Sequence, residues 1–380
     1  MAKARLGWAR SGSVHGPASP MLGPTMARTP EALAVAGPFS FRALVFGFDA
    51  ALKRHASAVR IFHCRLGGWM VRFRVVGIEL AEQLGLAVRH RMAPARPGEA
   101  PAIAIDVWDE TATGVCCAVT PFDAEMGPFG KVTHSPDDRY IAYQRPDSTA
   151  WLDRSAGRIV AWFRTVDSLY LDERAKPFHK LLFVWLRDRG LLLTHAGLVG
   201  RSGSGILLTG KGGSGKSTAT VLGLMAGYDF LADDFVGLTE GSDGAFLGHG
   251  FFASSLIDTR HLARFPGLRP HALDPYQPHE RKSLVLFPAL YPDRLPETMV
   301  IRAIASLRVV DANRASLRPA SKIQTLLALA PSSLFLMPRP SKAAFDVYVR
   351  LVQRYPTYWL DVGRELDSVP PCLGTLLAAG

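Results

Sequence analysis

Hydrophobic and polar positions in the first half of the chain alternate mostly as they do in strands. Residues 41–48 and 68–76 are rich in aromatic and β-branched side chains, which favours strands. Residues 78–88 carry apolar side chains at helical spacing instead and predict a helix. Short segments broken by Pro, Gly and Asp follow at 102–108, 114–119, 131–134, 140–144 and 159–163, and we interpret them as further strands. Together these elements predict a mixed, strand-rich α+β accessory domain over residues 41–175.

The second half of the chain changes to an alternation of strands and helices. Residues 176–189 have the pattern of an amphipathic helix that ends at Gly190. Two predicted strands follow, at 191–199 and 205–209, and form a β-hairpin that leads into a glycine-rich loop. An apolar helix and a short buried strand come next, at 218–224 and 230–232. This order predicts an α/β domain over residues 176–380.

The first 40 residues have a composition of their own. They contain four basic side chains and a single acidic one among many Gly, Pro, Ser and Ala residues. A transit peptide has a similar composition. Four prolines between residues 17 and 30 would interrupt any amphipathic helix, however. We therefore expect residues 1–40 to be a disordered basic extension.

Charge and cysteine content argue against several classes of protein. The 380 residues include 44 Lys and Arg against 33 Asp and Glu, a net charge of +11, but no run of five or six like charges. Nucleic-acid binding is therefore not expected. The four cysteines lack the spacing of metal ligands, which is typical of a protein in the reducing cytoplasm. No apolar run approaches the roughly 18 residues of a membrane span, so no membrane partner is expected.

The glycine-rich loop carries the clearest chemical signal in the sequence. Residues 210–217 read GKGGSGKS and match G-x-x-x-x-G-K-[ST] at every position. Glycines let backbone N–H groups approach phosphate oxygens, the lysine reaches the terminal phosphates, and the last hydroxyl can ligate Mg²⁺. The sequence therefore predicts that the chain binds ATP and Mg²⁺. The predicted nucleotide-binding residues are Gly210, Lys211, Gly212, Gly213, Ser214, Gly215, Lys216, Ser217 and Thr218, of which Lys216 is also catalytic and Ser217 is also a metal ligand.

Two adjacent carboxylates, Asp233 and Asp234, follow the short buried strand. Ligands of α/β sheets lie at the carboxyl ends of strands, so one carboxylate can hold Mg²⁺ while the other accepts the proton of an attacking hydroxyl. A pair of turn or capping aspartates would have the same pattern. His195 lies in the predicted strand before the hairpin turn, where it is either a partner of the acids or a structural histidine.

The order of these features resembles the HPr serine kinase family. The segments that carry the resemblance are HAGLVGRSGSGILLTGKGGSGKST, a helix, and then FLADDFVGL. The resemblance implies a fold shared with ATP-dependent phosphoenolpyruvate carboxykinases. It also implies that Asp233 activates a substrate hydroxyl, that His195 assists the acidic pair and that Asp234 helps to hold Mg²⁺. Segments after residue 278 resemble the tails of stand-alone relatives, including lasso-peptide kinases, which implies a ribosomal peptide precursor as one acceptor.

One family feature is missing. HPr kinase/phosphorylases carry a long signature with Gly and Glu after the Asp pair, whereas residues 241–260 contain no Glu. This difference counts against HPr as the substrate and against the reverse, phosphorolytic activity.

Two cations further along the chain are additional catalytic candidates. Arg281 and Lys282 precede the apolar run at 284–287. A cation there can neutralise charge that develops on a transferring phosphoryl group. A solvated loop would have the same composition.

The predicted function is ATP- and Mg²⁺-dependent phosphorylation of a Ser or Thr hydroxyl in a peptide or small protein. Two alternatives stay open at this point. The Lys-Gly-Gly pattern of the loop also matches chromosome-partitioning ATPases, so a nucleotide-switch ATPase that acts on a partner protein is one of them. A small-molecule kinase is the other. The sequence is compatible with a homo-oligomer.

Overall fold

The computed structural model describes residues 37–119, 130–334 and 341–379, which form three β-sheets with helices packed against them. Residues 1–36, most of the predicted basic extension, lie outside the described residues. The fold is mixed α/β. None of the described helices is long and apolar enough to span a bilayer.

The first helix, α1 (Pro38–Arg54), shows that the predicted strand over 41–48 is wrong. Its buried apolar side chains recur at the spacing of a helix and are Phe41, Leu44, Phe48 and Ala51. Pro38 lies in the first turn of α1, where backbone N–H groups have no hydrogen-bond partner within the helix, so a residue without an N–H costs nothing there. Aromatic and β-branched content favoured a strand, but the three- and four-residue spacing decides the structure. Residues 38–40 therefore belong to a helix and not to an extension.

A seven-stranded sheet follows α1. Its strands in chain order are β1 (Val59–Leu66), β2 (Trp69–Val76), β3 (Ile103–Asp109), β4 (Lys131–His134), β5 (Tyr140–Arg145), β6 (Ser148–Asp153) and β7 (Arg158–Phe163), with helices α2 (Ile78–Leu86) and α3 (Glu110–Thr113) between them. The spatial order is β1-β2-β3-β7-β6-β5-β4, in which β2, β3 and β7 are parallel. The segment 114–119 is irregular and not a strand. Gly114 ends α3 at a φ of 62°, so the chain leaves α3 in a left-handed turn.

Two helices, α4 (Leu171–Ala175) and α5 (His179–Arg187), connect the first sheet to the rest of the chain. The amphipathic helix predicted over 176–189 is confirmed by α5, whose Trp185 is fully buried. Side chains of α5 share one hydrophobic core with residues as far apart as Cys64 in β1 and Tyr355. The core is therefore continuous across residues 175 and 176.

The remaining strands and helices form a nine-stranded sheet, a three-stranded sheet and their covering helices. The nine-stranded sheet contains β8 (Leu192–Thr194), β9 (Gly197–Arg201), β10 (Ser204–Thr209), β11 (Asp229–Ala232), β12 (Val236–Glu240), β13 (Phe246–His249), β17 (Thr298–Val309), β18 (Ser316–Pro319) and β19 (Thr357–Val362). The three-stranded sheet contains β14 (Ser254–Asp258), β15 (Ala272–Leu273) and β16 (Lys282–Leu286). The helices are α6 (Lys216–Met225), α7 (Thr259–Leu262), α8 (Lys322–Leu334), α9 (Lys342–Arg354) and α10 (Val369–Ala379).

The predicted hairpin is confirmed by β9 and β10, which pair antiparallel. The single strand predicted over 191–199 is not. It divides into β8, which pairs with β12, and β9, which pairs with β10 and β11. At the break, the N–H of Ala196 donates to the carbonyl oxygens of Thr194 and Asp234. The backbone therefore bonds to the acidic pair at the point where the strand changes partners.

Parallel pairing places several strand ends at one edge of the large sheet. Strand β17 is parallel to both β10 and β19, so these three strands end on the same side. The glycine-rich loop follows β10 at that edge. Ligands of α/β sheets bind at such edges, which locates the candidate site.

Candidate active site

The glycine-rich loop connects the end of β10 to the start of α6. Gly210 and Gly213 have φ angles of 146° and 76°, which L side chains rarely adopt. A Cβ atom on Gly210 would lie 2.5 Å from Oγ of Ser214 and 2.9 Å from the carbonyl oxygen of Leu307. A Cβ on Gly212 would meet no atom within 4 Å. Glycine is thus required at the start of the loop, and the middle of the loop faces open space.

Hydrogen-bond donors without partners collect at this loop. Gly215 is the N-cap of α6 at a φ of 96°, so no side chain is available there to accept the free N–H groups of the first turn. Ser217 and Thr218, both half-buried, lie in that turn. Oγ of Ser214 is buried and has no hydrogen-bond partner among the described residues. An anion at the helix N-terminus would satisfy these donors, so the loop fits the phosphates of a nucleotide.

Lys216 is the first residue of α6 and its side chain folds back over the loop. Nζ donates to the carbonyl oxygens of Gly210, at 2.7 Å, and Lys211, at 3.3 Å. Burial lowers the pKa of Lys216, while the charges of Asp234 and Asp233 raise it. The ammonium group therefore lies between the loop and the two carboxylates. Lys211 is exposed, and its contact with this group is through its backbone.

Asp233 is buried behind α6. One carboxylate oxygen accepts a hydrogen bond from Oγ1 of Thr220 at 3.0 Å, the other accepts from Ser255 on β14, and Ser217 lies close enough to lower the pKa of Asp233. Burial and the neighbouring charge of Asp234 raise the pKa of Asp233 to about 6. Two hydroxyl groups thus hold this carboxylate, and the predicted metal ligand Ser217 lies beside it. Neither Thr220 nor Ser255 was singled out from the sequence, because isolated hydroxyl residues carry no pattern.

Asp234 lies on the accessible side of the pair, with a side chain that is 28% exposed. It forms an ion pair with Nζ of Lys176, a buried side chain at the end of α4. Burial by itself raises the pKa of Asp234, but the ion pair with Lys176 and the charge of Lys282 hold it well below its usual range. Sequence reasoning missed Lys176, because a lysine at the start of an amphipathic helix pattern has no feature that separates it from a solvated one.

His195 lies at the break between β8 and β9. Burial lowers its pKa to about 4, and the charges of Lys216, Lys176 and Lys282 act in the same direction, so the ring is neutral at pH 7. Nδ1 is buried and has no partner among the described residues. The backbone N–H of His195 donates to Oγ of Ser333 on α8 at 3.0 Å. A neutral imidazole with a free nitrogen is therefore held beside the acidic pair.

The structure brings Lys282 to the site and leaves the side chain of Arg281 outside it. Lys282 is the first residue of β16, and its charge acts on His195, Lys216 and Asp234. Arg281 is exposed, and its carbonyl oxygen accepts from Thr259. Within the part of the chain that the structure describes, no hydrogen bond or ion pair joins the Arg281 side chain to the site.

Oxygen ligands for Mg²⁺ are present at the centre of this group. Ser217, Asp233 and Asp234 supply one hydroxyl and two carboxylates, which is the donor set by which proteins hold Mg²⁺ together with substrate phosphates. Over residues 37–119, 130–334 and 341–379 there is no cluster of three or more His, Cys, Asp or Glu side chains arranged around one point.

A scan of protein-family models finds no match to the chain. A search of the curated proteins finds none either. Among solved structures, the HPr(Ser) kinase/phosphatase from Coxiella burnetii is similar to this chain at 13% sequence identity and a TM-score of 0.30, over 49% of this chain and 88% of that one. At that TM-score the similarity is loose and carries no weight for substrate or mechanism.

Proposed function

We propose that this protein is a kinase that transfers the γ-phosphoryl group of ATP to a Ser or Thr hydroxyl of a peptide or small protein. The observation that supports this most directly is the convergence of the phosphate loop with Asp233, Asp234 and a neutral His195. A phosphate loop alone serves many kinds of nucleotide-binding protein. Acids beside it provide a place for an acceptor hydroxyl and its proton.

Lysine side chains surround the position that the phosphates would occupy. Lys216 and the N–H groups of the loop bind the terminal phosphates, and Lys282 offers a second positive charge from β16. Ser217 with Asp233 would hold Mg²⁺, which would supply further positive charge to the site. Charges that are fixed before the reaction stabilise the developing negative charge at little reorganisation cost.

Asp233 and Asp234 differ in solvent exposure. This difference favours the opposite roles for the two carboxylates to those that the family resemblance implies. Asp233 is 3% exposed, and its oxygens already accept hydrogen bonds from hydroxyls. Asp234 is the carboxylate that an acceptor can reach. We therefore assign the acceptor hydroxyl to Asp234, with His195 beside it. The hydroxyl oxygen bonds to the γ-phosphorus as the bond from phosphorus to the leaving ADP oxygen breaks, and the proton passes to Asp234.

A labelling experiment tests this proposal. Peptides encoded beside the gene are incubated with the protein, ATP and Mg²⁺, and mass spectrometry should show a gain of one phosphoryl group on a Ser or Thr. Lys216→Met should abolish the gain. The matched control is Lys53→Met, an exposed lysine in the last turn of α1. ATP hydrolysis with no labelled acceptor would contradict the proposal and favour a nucleotide-switch ATPase.

A small-molecule kinase is the second candidate, and one observation favours it. Three lysines, Lys176, Lys216 and Lys282, interact electrostatically with the same pair of acids, and such a group suits a compact anionic acceptor. Small hydroxy acids in the same assay would separate the two: labelling of a hydroxy acid but of no peptide would replace the first proposal with this one.

A further inference from the structure

Helix α8 turns large apolar side chains to solvent and hydroxyl groups to the interior. Ile323 and Leu327, one helical turn apart, are 72% and 68% exposed. Thr325 and Ser333 are buried, and Oγ1 of Thr325 has no partner among the described residues. Leu329 and Ala330 are buried as well, so α8 carries apolar side chains on both its inner and its outer side, whereas surface helices normally turn polar residues to solvent. We call the surface formed by Ile323 and Leu327 the α8 face.

Positive side chains border the α8 face at the start of the helix. Lys322 is the first residue of α8, and Nε1 of Trp359 on β19 donates to Oε1 of Gln324 at 3.3 Å. Arg318 on β18 is paired directly opposite Trp359. The guanidinium group of Arg308 lies 5.2 Å from the centroid of the Trp359 ring. We call Arg308, Arg318 and Lys322 the basic rim.

The basic rim is only partly neutralised by the protein. Arg308 and Arg318 both form ion pairs with Asp361, a single carboxylate. Nζ of Lys322 donates to the carbonyl oxygen of Tyr355, which carries no charge. Three positive charges therefore face one negative charge, and both arginines are about half exposed.

Helix α8 is bonded directly to the candidate active site. The carbonyl oxygen of Ala328 accepts from Oγ1 of Thr209, the residue before Gly210, at 3.2 Å. Further along the helix, Ser333 accepts from the backbone N–H of His195. A segment bound to the α8 face would thus lie beside the phosphate loop.

We propose that the α8 face and its basic rim bind an acidic segment of the acceptor that carries a pair of apolar side chains near the phosphorylated hydroxyl. This inference rests on the proposed kinase function, since it assigns the recognition site of that reaction. Apolar side chains would cover Ile323 and Leu327, and carboxylates would pair with the rim.

Charge argues against two other occupants. Residues 1–36 of the chain contain four basic side chains and one acid, so they carry the same sign of charge as the rim. A second copy, related by a two-fold axis through this face, would bring two basic rims together. An acidic partner is the occupant whose charge complements the rim.

Peptide binding to the nucleotide-free protein tests the inference without any need for catalysis. The probes are two fluorescein-labelled peptides. In the Glu–Leu peptide, Glu-Glu pairs alternate with Leu-Leu pairs, and in the Lys–Leu peptide, Lys-Lys pairs alternate with Leu-Leu pairs. Fluorescence anisotropy measures the affinity of the protein for each peptide. The Glu–Leu peptide should bind at least about tenfold more tightly than the Lys–Leu peptide, because its charge complements the rim. The double variant Ile323→Glu, Leu327→Glu should lose about tenfold in affinity for the Glu–Leu peptide.

A matched control and a second variant keep the test decisive. Phe39→Glu with Phe46→Glu changes two side chains on α1 that are 81% and 77% exposed, and it should leave the affinity unchanged. Arg318→Gln removes one charge of the basic rim. It should weaken binding of the Glu–Leu peptide and should not weaken binding of the Lys–Leu peptide. Equal affinity for both peptides, or undiminished binding by the α8 variant, would overturn the inference.

Light scattering measures whether a second copy of the chain occupies the α8 face. A dimer that becomes a monomer in the α8 variant would assign the face to a second copy, against the inference. If the protein binds the Glu–Leu peptide selectively but transfers no phosphoryl group, the proposed kinase function is contradicted and the proposed binding surface is supported.

Discussion

Asp233 and Asp234 are neighbours in the chain, yet their carboxyl groups behave in opposite ways. Burial and like charge raise the pKa of Asp233, whereas the ion pair with Lys176 outweighs burial and lowers the pKa of Asp234. The partners responsible lie far away in sequence, at Lys176, Thr220 and Ser255. Two adjacent aspartates in a sequence therefore indicate a site, but they do not indicate the role of each carboxylate.

Asparagine at each of these positions should separate their roles. We expect Asp233→Asn and Asp234→Asn each to reduce phosphoryl transfer by about 100-fold or more. Asp233→Asn should also raise the Mg²⁺ concentration needed for nucleotide binding, because Asp233 lies beside Ser217, with which we propose that it holds the ion. Calorimetric titration of each variant with nucleotide at several Mg²⁺ concentrations measures this. A changed Mg²⁺ requirement in Asp234→Asn alone would support the assignment that the family resemblance implies.

Glu173 on α4 is a second buried acid, and it predicts a pH dependence of stability. Burial raises its pKa from the usual 4.5 to about 7, because Arg145, with Nη1 at 3.8 Å, only partly compensates the loss of water. A carboxyl with a raised pKa binds more protons in the folded state, so its contribution to stability falls as the pH rises from about 4.5 to about 7.

Glu173→Gln should remove this pH dependence. Between about pH 5 and about pH 8 the variant should lose less stability than the wild type, by at most about 3 kcal/mol. Urea denaturation at the two pH values measures the difference. The matched control is Glu82→Gln, an exposed glutamate on α2. An unchanged slope in Glu173→Gln would contradict the raised pKa.

At the scale of whole elements, local patterns identified only part of the helices and strands and misplaced three of the predicted strands, at 41–48, 114–119 and 191–199. Periodicity and breakers identified α5, the β9–β10 hairpin and α6. Aromatic content hid the helical spacing of α1, and the partner change at His195 broke one predicted strand into two. The division of the strand predicted over 191–199 was unavoidable from local sequence, since the N–H of Ala196 at the break donates to the carbonyl oxygen of Asp234, which lies in the bend between β11 and β12.

The glycine-rich loop is the element in which local sequence and geometry agree best, and the stability of the fold depends on some of its glycines more than on others. Gly210→Ala should cost about 1–3 kcal/mol of stability, because the residue needs a positive φ and its Cβ would meet Ser214 and Leu307. Gly212→Ala should leave stability nearly unchanged, since nothing lies near its Cβ. Thermal unfolding of both variants measures this. Equal destabilisation by the two substitutions would contradict the described loop geometry.

At the scale of the molecule, the two large sheets are separate but their core is shared. Trp185 of α5 is fully buried in a cluster that includes Val107 of β3 and Ile304 of β17. Such a core predicts that both sheets unfold together. The predicted accessory domain therefore contributes to the stability of the site. Its last helix, α4, is followed directly by Lys176, which pairs with Asp234.

Hydrogen exchange measured by mass spectrometry tests this cooperativity. Peptides from β3 and β17 should lose protection over the same range of urea concentration. Trp185→Ala should destabilise both by about 3–5 kcal/mol. Loss of protection in β3 at clearly lower urea than in β17 would show instead that the first sheet unfolds independently.

The sequence by itself determined the mixed α/β character of the chain, the glycine-rich loop with its flanking strand and helix, and the acid pair. These features depend on residues that are adjacent or a few positions apart, so local spacing specifies them. Only the tertiary structure decided that Lys176 pairs with Asp234, that the hydroxyls of Thr220 and Ser255 hold Asp233, and that α8 presents an apolar face. Each of these depends on contacts between residues far apart in the chain, and only the folded chain brings them together.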